Sequence, residues 1–293
     1  MSDTRLPTNG RPFAKFVSGA FATLCALCTG LCLLALAVLL WQIFSRGWSR
    51  VDWSFITDYP SRLPEKSGIV SSLVGSLYLI GLTALFAVPI GVGAAIYLEE
   101  YAPATRWRKL IQTNIANLAG VPSIVYGILG LGLFVRYLGL NRSVLAGALT
   151  LTLVVLPIVI LSAQEALRAV PRTIRQASYA LGATRWQTVW HQLLPAAMPG
   201  ILTGVILALS RALGEAAPLV AIGAATYVRY LPTDLINDDF SALPLQIFSW
   251  TDKPQEGFHE AAAAGIVVLL SVLIAMNALA VFLRYRFSKR IQW

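Results

Sequence analysis

The stretch QEALRAVPRTIRQASYALGATRWQTVWHQLLP, residues 164–195, is a polar, arginine-bearing segment set between long uncharged runs. Leu167, Val170, Ile174, Ala177 and Leu181 recur at spacings of three and four, so they share one helix face, with Arg168, Arg172 and Arg175 on a neighbouring one. Pro171 belongs near a helix start, where its missing N–H costs nothing. Gly182 supplies a left-handed stop, and Thr184 to Gln187 has the spacing of a capping box that opens a second helix. The apolar face of that helix is Trp186, Val189, Trp190, Leu193 and Leu194. On periodicity alone two readings stay open: a pair of helices lying on the lipid surface, or a platform that a partner grips.

The rest of the chain says which solvent surrounds it. Of 293 residues, 57% are hydrophobic and 13% charged, with mean hydropathy +0.68, which excludes an ordinary soluble domain. A spanning helix needs about 20 apolar residues. Uncharged runs of that order occupy 16–44, 69–98, 111–135, 143–163 and 261–283, and 199–222 is apolar apart from Arg211 and Glu215. Six transmembrane helices are expected, an all-α polytopic membrane protein.

The first run is too long for a cleaved signal peptide and is taken as a retained span, with Arg5, Arg11 and Lys15 as its cytoplasmic flank. Six spans then place both termini, the loop near 99–110 and the segment 164–195 in the cytoplasm. Cytoplasmic segments hold Arg5, Arg11, Lys15, Arg106, Arg108, Lys109, Arg168, Arg172, Arg175, Arg185, Arg284, Arg286, Lys289 and Arg290, which is 14 of the 23 basic residues; external segments hold 8, and Arg211 lies in a span. That asymmetry follows the positive-inside rule.

The formal charge of +9 is spread over separate loops without a dense basic cluster, so it is not a nucleic-acid footprint. Cys25, Cys28 and Cys32 sit in the first span with no His or carboxylate near them and are read as small apolar helix residues. With His191 and His259 the only histidines, metal and triad chemistry has little material, and no cofactor is expected. No Gly-Lys pair occurs, which excludes a Walker-A phosphate loop; any ATP hydrolysis belongs to another subunit. The chain is expected not to be an enzyme.

Pro89, Pro122, Pro157 and Pro218 are expected to interrupt otherwise continuous helix, as transporters tolerate. Asn114 and Asn117 are read first as interhelical hydrogen-bonding residues. The strongest chemistry is in LSRALGEAAPL. Arg211 and Glu215 are four apart and can pair on one helix face. A charge at mid-bilayer costs about 3 kcal/mol on insertion scales, so this arginine needs a partner or a polar cavity, and its planar donor fork suits an oxyanion. The external segment 227–260 carries two basic residues against six acidic ones, a balance of −4 that disfavours open diffusion of an anion to the mouth.

Gln176-Ala177-Ser178, then Gly182, then Leu194-Pro195 resembles the coupling loop of ABC-importer permeases, whose pattern is Glu-Ala-Ala, three residues, Gly, nine residues, Ile, one residue, Leu-Pro. The departures are Gln176 for Glu, Ser178 for Ala and Gln192 for Ile. The resemblance widens with NLAGVPSIVYGILGLGLF (117–134), RALGEAAPL (211–219) and ALPLQIFSWTDKPQEGFHEAAAAGIVVLL (242–270), which are similar to the A-type permease subunits of phosphate-specific transport systems.

What the resemblance implies is a type I ABC-importer permease fold in a bacterial inner membrane. The expected division is 1–68 (cytoplasmic N-terminus, first span, external loop), 69–285 (transporter domain with the coupling loop at 164–195) and 286–293 (cytoplasmic tail). The expected coupling-loop residues are Gln176, Ala177, Ser178, Gly182, Leu194 and Pro195, and the expected substrate pathway is Arg211 and Glu215. The implied partners are a second permease subunit, a cytoplasmic ATPase dimer, an external phosphate-binding protein and inorganic phosphate. A permease for another oxyanion, molybdate or sulfate, stays open, as does a secondary transporter or channel.

Overall fold

The structure, a computed structural model, describes residues 12–288. Arg5, Arg11, Lys289 and Arg290, part of the expected basic flank and tail, lie outside the described residues. In chain order the helices are α1 (Pro12–Gly47), α2 (Trp53–Thr57), α3 (Val70–Ile96), α4 (Arg106–Ala119), α5 (Ser123–Gly130), α6 (Val144–Ala169), α7 (Arg172–Ala180), α8 (Arg185–Thr188), α9 (Leu194–Gly214), α10 (Ala217–Ile222), α11 (Leu243–Thr251) and α12 (Glu256–Ser288). Wider π turns extend α3 over Tyr97–Tyr101 and α5 over Leu131–Tyr137, and one over Val189–Leu193 joins α8 to α9. Among the described residues no strand forms, only an isolated bridge between Ser143 and Asp239.

Five helices with their end turns are long and apolar enough to cross a membrane, and a sixth exists only if α4 and α5 are joined across a bend of 101°. The uncharged run 111–135, expected as one span, is therefore broken. Pro122 lacks an N–H and disfavours helix at Val121, so α4 stops at Ala119, and the Tyr126 hydroxyl donates to the freed Leu118 carbonyl (2.8 Å). The run 199–222 also breaks: α9 ends at Gly214, Glu215 is extended, and Pro218 stands in the first turn of α10. Pro89 and Pro157 depart from expectation in the other direction, since α3 and α6 run through them. Asn114 is corrected too: its amide donates to Leu110 O on its own helix (3.0 Å), not across a helix pair.

Helix α6 is the centre. Two-thirds of its apolar window is buried (67%), because α3 and α9 cover it from two sides. Lipid gives no hydrophobic drive for helices to associate, so close approach through small residues has to do it. A Cβ on Gly91 would fall 2.6 Å from Val159 Cγ1, and one on Gly204 would fall 2.1 Å from Ser162 Oγ. Farther along, Thr83 Oγ1 donates to Ala148 O (3.3 Å) between α3 and α6. At the end remote from α7 and α8, loop backbone closes the bundle: Leu145 N–H donates to Leu235 O (2.9 Å), Ser71 Oγ to Val228 O (2.8 Å), and Leu243 N–H to Ser76 Oγ (2.8 Å). In contrast, α1 exposes nearly all side chains from 17 to 46 and meets the bundle at Gly47, against the Ala263 backbone of α12.

Gly204→Ala is expected to destabilise the purified protein by about 1–3 kcal/mol, the cost of overpacking a tight crossing. Adding Ser162→Gly should recover most of that loss in a thermal unfolding series. A Gly204→Ala protein as stable as wild type would contradict this crossing.

Candidate functional site

The segment 164–195 folds as an arm at one end of the bundle. Helix α6 continues to Ala169, with Leu167 and Val170 in the core, and Pro171 caps α7. Gly182 has φ +79, and the Ala183 and Gly182 N–H groups donate to Ser178 O (3.2 Å) and Tyr179 O (2.9 Å). That is the Schellman pair that satisfies carbonyls at a helix end. The capping box forms as well: the Gln187 N–H donates to Thr184 Oγ1 (3.3 Å) and the Thr184 N–H to Gln187 Oε1 (2.9 Å). Ser178 Oγ and Thr188 Oγ1 share a hydrogen bond of 2.8 Å across the turn.

Only part of each expected apolar face is buried. Val189 and Leu193 enter the core, Leu194 is half-buried and Pro195 opens α9. Trp186 and Trp190 stack on each other (centroids 5.6 Å) beside an apolar groove of about 770 Å³ against α3 and α9. Gln176, Ala177 and Gly182 are exposed, and Leu181 is 88% exposed. The arm thus presents a free outer surface, which a platform for a partner requires.

The sequence reading missed what holds the arm. Glu99 and Glu100, in the π turn that ends α3, each have a side chain less than one-tenth exposed. Glu99 accepts from Arg168 at the end of α6 (2.7 Å) and from Arg108 on α4 (3.3 Å). Glu100 accepts from Arg175 Nε on α7 (3.1 Å), with Arg175 Nη2 in ion-pair contact at 2.9 Å. The available signal was an acidic pair directly after the apolar run 69–98, within an otherwise basic end.

Arg211 and Glu215 come together as expected, Arg211 Nε donating to Glu215 Oε1 at 3.1 Å. Counted along the antiparallel α6–α9 pair from the Gly204–Ser162 crossing, Ala212 stands level with Val154, near the middle of α6, so the pair lies at mid-depth. Glu215 stands at the break between α9 and α10. One step before Arg211, Ser210 Oγ donates to Asn277 Oδ1 of α12 (2.6 Å), which fixes the height of α9. The Arg211 side chain is 47% exposed, against 18% for Glu215. Among the described residues Glu215 is its one ion-pair partner, and a guanidinium left half open inside a span calls for a polar surrounding.

At the opposite end, two of the six acids of the external segment are occupied within their own loop. Asp238 accepts from the Thr233 and Asp234 N–H groups (both 2.9 Å), and Asp234 accepts from the Asn237 side chain (2.7 Å) and the Ile236 N–H (2.9 Å). The Asn237 amide first, then the Ile236 N–H, holds the Asp234 carboxyl below its usual range. These carboxylates brace a turn.

A family model described as "Binding-protein-dependent transport system inner membrane component" matches residues 87–293, from the middle of α3 to the end of the chain. The chain belongs to that family. It is 36% identical over 264 residues to "Phosphate transport system permease protein PstA 1" of Mycobacterium tuberculosis (strain CDC 1551 / Oshkosh), covering 88% of this chain and 85% of that protein. It is 35% identical to "Probable ABC transporter permease protein YqgI" of Bacillus subtilis (84% and 89% covered) and 30% identical to "Phosphate transport system permease protein PstA" of Haemophilus influenzae (82% and 83%). Among solved structures, a chain of a bacterial alginate ABC transporter aligns with TM-score 0.66 and 16% identity, covering 96% of this chain and 99% of that one. A chain of the inward-facing MetNI methionine ABC transporter aligns with TM-score 0.62 and 17% identity, covering 75% and 95%. At such identities these structures speak for the fold, that of type I ABC-importer permeases.

A Cβ at Gly182 would meet nothing within 4 Å, so any substitution there is penalised through the backbone alone. Gly182→Val is expected to open the turn by about 1–2 kcal/mol, and Gly182→Asn much less. Hydrogen exchange at the Ala183 amide should read this as a roughly ten-fold acceleration in the Val variant. Unchanged exchange would refute the turn's dependence on positive φ.

Proposed function

We infer that this family member is a permease subunit of an ATP-driven phosphate importer, and that Arg211 and Glu215 lie on its translocation pathway. The observation that carries the reading is a half-exposed arginine at mid-depth, beside a helix break, in a chain whose 36%-identical relative is named a phosphate permease. Exposing a guanidinium to lipid costs about 3 kcal/mol on insertion scales, so a hydrated pathway shared with a second permease subunit is the natural surrounding. There Arg211 offers charge-assisted hydrogen bonds to the passing oxyanion, and Glu215 holds the arginine when the site is empty. Gln176, Ala177, Ser178, Gly182, Leu194 and Pro195 shape the arm that engages a cytoplasmic ATPase dimer, and an external phosphate-binding protein delivers substrate at the opposite end. Both termini then lie in the cytoplasm of a bacterial inner membrane.

Orientation is tested by thiol labelling of intact cells after removal of Cys25, Cys28 and Cys32. A cysteine at Asp238 should react with an impermeant reagent added outside, and one at Thr184 should not; the reverse pattern would overturn the arrangement.

The pathway is tested by uptake in the reconstituted complex. Arg211→Lys keeps the charge but not the fork and should slow phosphate uptake several-fold; Arg211→Gln should slow it roughly ten-fold or more, the scale of one charge-assisted bond. Glu215→Gln should also be impaired. A purely structural pair makes the opposite forecast, because replacing both partners by apolar groups is often tolerated. Wild-type uptake by Arg211→Leu with Glu215→Leu would remove Arg211 from the pathway. Inhibition by molybdate or sulfate as strong as by unlabelled phosphate would assign a different oxyanion.

A further inference from the structure

We propose that Glu99 and Glu100 are positioning residues that lock α3 and the α7 arm into one mechanical unit, so that motion imposed on the arm by ATP hydrolysis is delivered to the membrane-spanning α3. This rests on the importer reading above.

Helix α7 has no fully buried side chain, and Ile174 is its one apolar residue packed against the main core. Its polar attachment to α3 and α6 runs through Arg175. One guanidinium donates through Nε to Glu100 Oε1 (3.1 Å), through Nη2 to Leu167 O (2.9 Å) and through Nη1 to Val170 O (3.4 Å), and Nη2 also stays within ion-pair distance of Glu100. It thereby joins the end of α3, the last carbonyls of α6 and the body of α7. The neighbouring Glu99 does the same for α4 and α6 through Arg108 and Arg168, and Arg168 also pairs with Glu165 (3.0 Å) on its own helix.

Charge-assisted bonds to carboxylates this far out of water resist sliding better than apolar contacts, which re-form at any register. The π turn at Tyr97–Tyr101 gives the pair its reach: consecutive acids leave α3 toward two different helices. The route from arm to pathway is then continuous. Helix α3 packs on α6 at Gly91 and Val159, and α6 packs on α9 below Arg211.

The test uses the assembled complex in lipid vesicles, reading phosphate moved per ATP hydrolysed. Glu100→Gln should lower that ratio at least ten-fold while the complex is recovered in normal yield. Arg175→Lys, which keeps the charge and loses the fork, should fall between. A wild-type ratio in Glu100→Gln would overturn the proposal, and so would a lower yield of complexes whose ratio is normal, because that marks a merely structural brace.

A second measurement does not depend on the substrate. Spin labels at Tyr97→Cys on α3 and Tyr179→Cys on α7, both exposed positions, should keep one separation with and without trapped nucleotide. In the Glu100→Gln background that separation should become nucleotide-dependent. A nucleotide-dependent distance with Glu100 intact would refute the lock even if the wild-type complex carried an anion other than phosphate, an outcome that would reject the phosphate reading alone.

Discussion

The crossing of α9 over α6 at Gly204 and Ser162 is the constraint from which the rest follows, because those two helices are the arms of one hairpin whose turn is the α7–α8 segment. Bringing the backbones together there sets the register of the hairpin. It decides at one end how α7 and α8 project, and at mid-depth where Arg211 stands relative to Val155. In water a poorly fitted hairpin would still be pressed together by apolar burial. In lipid that pressure is absent, so a glycine opposite a serine carries a share of the specification that a leucine core carries elsewhere.

Much of the arm was legible because its signals are local. Gly182, Thr184 and Gln187 each act through backbone groups within five residues, so the sequence around them contains the whole cause. The prolines were not legible in the same way: four of them look alike in apolar runs, yet α3 and α6 absorb Pro89 and Pro157 while the chain turns at Pro122 and breaks ahead of Pro218. Whether a helix can continue depends on what neighbouring helices offer the freed carbonyl, a fact of packing that no window of sequence holds. Glu99 and Glu100 were invisible for a related reason, their partners being 9 to 75 residues away. The Arg211 and Glu215 pair, four residues apart, needed no such information.

Besides the arm, the described residues leave two contrasting surfaces open: the length of α1 and about half of the Arg211 side chain. They pose different physical problems. An apolar helix is at ease in lipid and needs no company, whereas an arginine at mid-depth does. A neighbouring subunit or a water-filled space is therefore a requirement at Arg211 and only an option along α1.

The empty surroundings of Gly182 have a consequence for recognition. The bend between α7 and α8 is fixed locally by its own left-handed glycine, two end-cap bonds and a capping box. An element shaped before it meets its partner loses little conformational entropy on docking, so more of the contact energy remains for affinity. The same autonomy lets an outer residue of the arm vary with the surface it faces, as exposed Gln176 does from the family pattern, while the bend it rides on stays put.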